Sequence, residues 1–306
     1  MKNKLIIFLY LYCVFQYSLL AQNLRYNKNY SIACHNCYVP KDGRVIEDIF
    51  PYTTAIEIDI WDNSYLSGIA AESAHSVKMN GDWFVKHESY DKGNVNCCGG
   101  TFKDCLNRIK KWSDQNPDHS VITIFIDKKE NWSETNEMRK PVDLDELLLS
   151  VFSREKIYTP IDLLGDKQSL KAAMIENCPM QDSLKGKFIF AITDGTTQLD
   201  IPIISPHRTP LNEYLDAQKK NAVCFVAPQI STEAEISQPK GFSFANSSNT
   251  IFYNLDYSNR SLAQKINSLD CLSRVFGFPL ETKDVYKELV NDKINFIAFD
   301  NYQLLK

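Results

Sequence analysis

The chain has 306 residues, 44% of them hydrophobic, with a formal net charge of −4 at pH 7. That length buries a large core, either as one barrel or as two domains. An acidic chain without a basic run excludes a charge-driven nucleic-acid binder, and charge alone would not hold it on an anionic membrane.

Lys2 and Lys4 open the sequence, an apolar stretch runs from Leu5 to Leu20 with Gln16 as its polar break, and Ala21 follows. The pattern predicts a secretory signal peptide over 1–21, removed to leave 22–306 as a single catalytic domain that is secreted or periplasmic. No later stretch approaches the ~20 apolar residues a membrane span needs, so no transmembrane segment is expected after signal removal. Cys34, Cys37, Cys97, Cys98, Cys105, Cys178, Cys224 and Cys271 lie beyond the signal. An even number in an exported chain permits disulfides without fixing their pairing, and the cluster Cys97, Cys98 and Cys105 is the best candidate for a local bridge.

Strand-like runs occupy 30–35, 55–61, 83–87, 121–127, 187–193, 222–228, 250–255 and 294–300. Most are rich in Ile, Val and Phe, as buried parallel strands are. Helical patterns fall at 101–116, 144–154, 168–176, 210–221, 260–276 and 281–290, the first with Thr101 as its cap. Strands alternating with helices indicate a parallel sheet with right-handed crossovers. Eight strands predict an α/β fold, an irregular (β/α)8 TIM barrel, irregular because 63–82 carries no good helix.

The chemistry-bearing residues sit at strand ends. The first run ends in Cys34-His35-Asn36-Cys37-Tyr38. In the second, Ala55-Ile56-Glu57-Ile58-Asp59-Ile60-Trp61-Asp62, period-2 alternation places Glu57 and Asp59 on one face. The third ends in His87 and the fourth in Asp127. A histidine, an amide oxygen and carboxylates are the materials of a hard-cation site with an acid/base group beside it. The C-terminal ends of barrel strands are where such enzymes keep their chemistry. Taken singly, His35 and His87 are ordinary histidines; it is the joint placement with Asn36, Glu57, Asp59 and Asp127 that points to function. His75, His119 and His207 have no such company. Cys34 and Cys37 have the spacing of a redox pair but sit on a strand end rather than a helix N-terminus. Asp62, Glu88 and Asp91 read as solvated loop acids. Trp61, Trp83, Trp112 and Trp132 read as packing residues, Trp132 being the candidate for a membrane contact.

His35-Asn36-Cys37-Tyr38 resembles the first signature of phosphatidylinositol-specific phospholipase C catalytic domains, and Glu57-Ile58-Asp59-Ile60-Trp61-Asp62 resembles their second. The stretch from Thr101 to Lys129, Gly186-Lys187-Phe188-Ile189-Phe190 and Ile297-Ala298-Phe299-Asp300-Asn301-Tyr302 are similar to the secreted, calcium-dependent bacterial branch. The resemblance runs from about Leu24 to the C-terminus. It implies calcium (Ca2+) as cofactor, with Asn36, Glu57, Asp59 and Asp127 as ligands, and His35 and His87 as the catalytic pair flanking a phosphodiester. It implies attack of the inositol 2-hydroxyl on phosphorus, with Glu57 the candidate to take its proton, and departure of diacylglycerol. The substrate would be a phospholipid met transiently at a membrane surface by a monomer. Asp127 stands where the family has glutamate, and Cys34 and Cys37 stand where it has Thr and Ser. By position, Lys129 is a candidate for the substrate phosphate and Tyr302 for stacking on the inositol ring. A glycerophosphodiester phosphodiesterase or a sphingomyelinase-D-like enzyme on the same barrel is the alternative, disfavoured because Asn36 follows the first histidine. An inactive binding barrel is the third reading.

Overall fold

The computed structural model describes residues 24–40, 43–62, 82–87, 91, 94–132, 139–194 and 210–306. The signal-peptide expectation, the stretch 63–81, Glu88, His75 and His207 lie outside the described residues. The described strands form one sheet: β1 (Ser31–Cys34), β2 (Ala55–Trp61), β3 (Phe84–Val85), β4 (Ile122–Lys128), β5 (Phe188–Asp194), β6 (Phe225–Val226), β7 (Phe252–Asp256), β8 (Leu272–Phe276) and β9 (Phe296–Phe299). Their order is β6-β5-β4-β2-β1-β9-β8-β7, with β3 off this path on β2. Every pairing along the path is parallel. The ends of the path meet at a bridge between Gln229 and Asn254, where the Asn254 N–H donates to the Pro228 carbonyl (3.0 Å) and the Ile230 N–H to that of Asn254 (3.1 Å). The result is a nearly closed eight-stranded barrel with helices outside it, the architecture of a TIM barrel.

Two expectations are corrected here. The run at 83–87 is not a barrel strand: β3 is two residues long and pairs antiparallel with β2, Val85 opposite Ile60. The pattern at 260–276 is not one helix. It is a helix, Leu262–Ser268, a turn in which Asp270 takes φ 58°, and then β8. Asp270 makes the left-handed turn that a glycine would have advertised. The two differences cancel in number, so eight barrel strands stand, with β8 taking the place of the run at 83–87.

The described helices are α1 (Phe102–Gln115), α2 (Pro141–Val151), α3 (Pro160–Leu164), α4 (Leu170–Asn177), α5 (Pro210–Gln218), α6 (Ala234–Ser237), α7 (Phe244–Ser248), α8 (Leu262–Ser268) and α9 (Lys283–Asn291). Helix α1 shows why they form. Phe102, Cys105, Leu106 and Ile109 are buried along one face, and Thr101 caps the start, its hydroxyl accepting from the Asp104 N–H while the Asp104 carboxylate accepts from the Thr101 N–H. No helix among the described residues is long and apolar enough to cross a membrane.

The barrel interior is layered. The Tyr26 hydroxyl meets Thr123 Oγ1 at 2.7 Å near the strand N-termini. Above it, the rings of Phe125, Phe225, Phe252 and Phe296 pack in edge-to-face, tilted and stacked pairs, with centroids between 5.1 and 6.3 Å apart. The Arg274 guanidinium lies 5.2 Å from the Phe125 centroid and begins the polar layer that opens at the strand C-termini.

Candidate active site

Strand register assembles the site. Cys34 pairs with Ile56, so the residues just past β1 lie beside the middle of β2. Asp59 is opposite Asp127 across β2 and β4, and Asp127 is opposite Thr193 across β4 and β5. Oxygens of Glu57, Asp59 and Asp127 all lie within 4.8 Å of one another, and all three residues are buried. Three carboxylates in so small a volume need positive charge nearby. Arg274 Nη2 lies 2.8 Å from Glu57 Oε2, and its Nη1 donates to Asn254 Oδ1 at 2.9 Å. Lys129 Nζ lies 3.0 Å from Asp59 Oδ2 and 2.5 Å from Asp127 Oδ2. Thr193 Oγ1 donates to Asp127 Oδ1 at 2.6 Å.

These contacts divide the triad. Burial and the neighbouring carboxylates raise the pKa of Asp59 to about 7, although Lys129 opposes them. Burial would raise Asp127 too, but Lys129, the Thr193 hydroxyl and Arg274 outweigh it and hold the carboxyl below its ordinary value. Burial favours the neutral amine of Lys129, yet Asp127, Asp59 and Glu57 prevail and keep its ammonium charged.

His35 stands between two acids, with Nε2 3.3 Å from Glu57 Oε2 and Nδ1 2.8 Å from Asp300 Oδ1. Burial pulls its pKa down, but Glu57 and Asp300 more than compensate, and the imidazolium is favoured. Asn36 follows in the left-handed conformation, φ 52°, which asparagine tolerates. A disulfide between Cys34 and Cys37, with Cα atoms 5.6 Å apart, closes the turn that carries both residues. This corrects the expectation of a bridge in the Cys97 cluster: Cys97, Cys98 and Cys105 are free thiols.

The Oδ1 atoms of Asn36 and Asp59 are buried with no hydrogen-bond partner among the described residues. Buried acceptors in that state are costly unless a donor or a cation meets them. The triad is an all-oxygen donor set of the kind calcium takes. The residues present fit that ion.

Other expected residues fall as follows. His87 lies two residues beyond Val85 and is partly exposed; β3 runs antiparallel to β2, so the chain at His87 heads toward the level of Asp59. Tyr302 is buried, its ring 5.6 Å from that of Tyr52 and under the Arg44 guanidinium. Its faces are committed to packing, so it is not kept as a stacking platform. Asp62 is buried rather than solvated: it accepts from Trp83 Nε1 at 2.7 Å and pairs with Lys128 Nζ at 3.0 Å. Trp132 is buried, donating from Nε1 to the Pro210 carbonyl, and offers no membrane contact.

Arg274, Asn254, Thr193 and Asp300 belong to the site and are absent from the sequence-derived set. Asp300 carried a signal, as the acid that ends the last predicted strand. Arg274 lay hidden inside the run read as a helix.

A family model described as phosphoinositide phospholipase C, Ca2+-dependent, matches residues 90–229. The solved calcium-dependent phosphoinositol-specific phospholipase C from Pseudomonas sp., a Gram-negative bacterium, is 28% identical over 92% of each chain, with a TM-score of 0.78. Its myo-inositol complex superposes equally well, at a TM-score of 0.78. The calcium-dependent phosphatidylinositol-specific phospholipase C from Streptomyces antibioticus shares the fold at 20% identity, covering 92% of this chain and 96% of its own, with a TM-score of 0.73. No curated protein matches the chain.

Proposed function

We propose that the chain is a calcium-dependent phosphoinositide phospholipase C, a secreted enzyme cleaving phosphatidylinositol at membrane surfaces through two histidines. The observation that carries this reading is the acidic triad within 4.8 Å, beside a histidine braced at both ring nitrogens. Asn36, Glu57, Asp59 and Asp127 would hold calcium. Bound there, the ion offsets charge growing on the phosphoryl oxygens and lowers the pKa of the attacking hydroxyl.

The chain's own residues do the rest. Arg274 fixes Glu57, Thr193 fixes Asp127, and the barrel walls hold the three carboxylate groups together. A carboxylate of the triad takes the proton of the inositol 2-hydroxyl as its oxygen bonds to phosphorus. His35, kept cationic by Glu57 and Asp300, faces the phosphoryl oxygens. His87 gives a proton to the glyceryl oxygen as the phosphorus–oxygen bond breaks. Diacylglycerol and inositol 1,2-cyclic phosphate result, and water later opens the ring. Each proton-transfer role contributes ~10²–10⁴ in rate.

Product analysis with phosphatidylinositol, with and without a calcium chelator, tests the reading. Cyclic inositol phosphate that disappears on chelation is expected. Cleavage indifferent to chelation, or glycerol phosphate released from deacylated lipid, would overturn it.

A further inference from the structure

Lys129 begins where two strands part. Its N–H donates to the Ile60 carbonyl at 3.2 Å, at the C-terminal end of β2 and one residue past β4. The side chain returns toward the barrel, and its ammonium lies 3.0 Å from Asp59 and 2.5 Å from Asp127. The residue is 7% exposed. Two of the three triad carboxylates thus share one tethered cation, and the third, Glu57, pairs with Arg274. The two cations differ in their anchorage. Arg274 is fixed from a second side by Asn254 and lies over the Phe125 ring. The Lys129 ammonium is held by the two aspartates. A lysine ammonium is a compact point charge on a flexible stem, able to leave a site without disturbing its walls.

We propose that Lys129 is the resident counter-ion of the acidic triad, which a divalent cation must displace in order to bind. The proposal rests on the metal reading above and adds what regulates that site. While Lys129 pairs with Asp59 and Asp127, those oxygens are engaged and the triad is stable without metal. An entering divalent ion competes for the same oxygens and expels the ammonium. Metal affinity is therefore lower than three carboxylates and an amide would otherwise give, since affinity in oxygen sites follows the charge available to the ion. The expelled ammonium is then free to meet the phosphate of a substrate, so metal loading and the supply of positive charge for the phosphodiester are one event.

Calcium titration calorimetry on the wild type, Lys129→Met and Lys129→Gln tests this, with melting temperatures taken in chelator and in saturating calcium. Both variants should bind calcium at least 10-fold more tightly than the wild type. Both should melt lower than the wild type without metal and show a larger calcium-induced rise. A purely structural lysine would lower the melting temperature in both states and leave the calcium Kd unchanged. Wild-type binding with an equal or weaker Kd in both variants overturns the displacement proposal and leaves the metal site standing. Absence of calcium binding by the wild type and both variants alike overturns the metal site itself. Lys129→Gln retains polarity at the position, so it reports even if Lys129→Met does not fold without calcium.

Discussion

His35 Nδ1 lies 2.8 Å from Asp300 Oδ1, a contact between residues 265 positions apart in sequence. The pairing of Cys34 with Phe299 across β1 and β9 sets it, because each partner is the next residue along its strand. The carboxylate orients the ring, turning Nδ1 to Asp300 and Nε2 to Glu57. Asp300→Asn should leave the fold intact and lower kcat by about 10²-fold with little change in KM. Near-native kcat in Asp300→Asn would remove Asp300 from the site.

The two histidines are assigned different tasks but comparable weight. His35→Ala and His87→Ala, at unchanged melting temperature, should each lower kcat by about 10³-fold. Steady-state kinetics on phosphatidylinositol vesicles checks this. A His87→Ala variant with near-native turnover would assign the leaving-group proton elsewhere.

Arg274 neutralises Glu57 in the barrel interior, and both residues are buried. Removing one partner of a buried pair leaves the other charge uncompensated, which costs about 3–5 kcal/mol. Arg274→Met should therefore lower stability by that amount in urea denaturation and abolish turnover. Loss of turnover without loss of stability would mean that Arg274 acts on substrate rather than by holding Glu57.

The disulfide from Cys34 to Cys37 closes a turn of four residues around His35 and Asn36. So short a loop restrains the unfolded chain by only about 2 kcal/mol. Its larger effect is to hold Asn36 at φ 52°. The double variant Cys34→Ser/Cys37→Ser should melt a few degrees lower and bind calcium several-fold more weakly. Unchanged calcium affinity would show that the turn is held by its neighbours instead.

Asp145 supplies a pH dependence away from the site. It accepts from the Tyr214 hydroxyl at 2.7 Å and the Val223 N–H at 3.3 Å, and burial outweighs both, raising its pKa from 3.8 to about 7. A carboxyl raised on folding binds its proton more tightly in the folded state. The cost is absent below pH 4, grows between pH 4 and 7 as the unfolded chain loses a proton the folded chain keeps, and is complete above pH 7. Its size is at most ~4 kcal/mol. Asp145→Asn should gain stability relative to the wild type between pH 4 and pH 8, read from urea midpoints. Parallel pH profiles would contradict this.

Much of this arrangement is legible in the sequence because local pattern and barrel geometry agree at β2 and β4. Alternation put Glu57 and Asp59 on one face, and the apolar run ending in Asp127 carried its acid to the same level. What sequence does not reveal is pairing between distant segments. Arg274 sits in Leu272-Ser273-Arg274-Val275-Phe276, and its side chain points inward among strands formed elsewhere in the chain. Nothing local separates that run from the helix before it, because Asp270 makes the turn without glycine or proline. Trp83-Phe84-Val85 has strand composition, and only its neighbours decide that it joins β2 antiparallel and leaves the barrel path. Tyr302 looked available because it follows the last strand, yet its ring found Tyr52, a contact no spacing announces.

The central claim is that Asn36, Glu57, Asp59 and Asp127 hold one divalent ion at the mouth of the barrel. A crystal structure of the calcium complex tests it most directly. The account predicts one ion bound by oxygens of all four residues, with the Lys129 ammonium moved off Asp59 and Asp127. An ion bound elsewhere, or a triad still closed on Lys129 in saturating calcium, would contradict it.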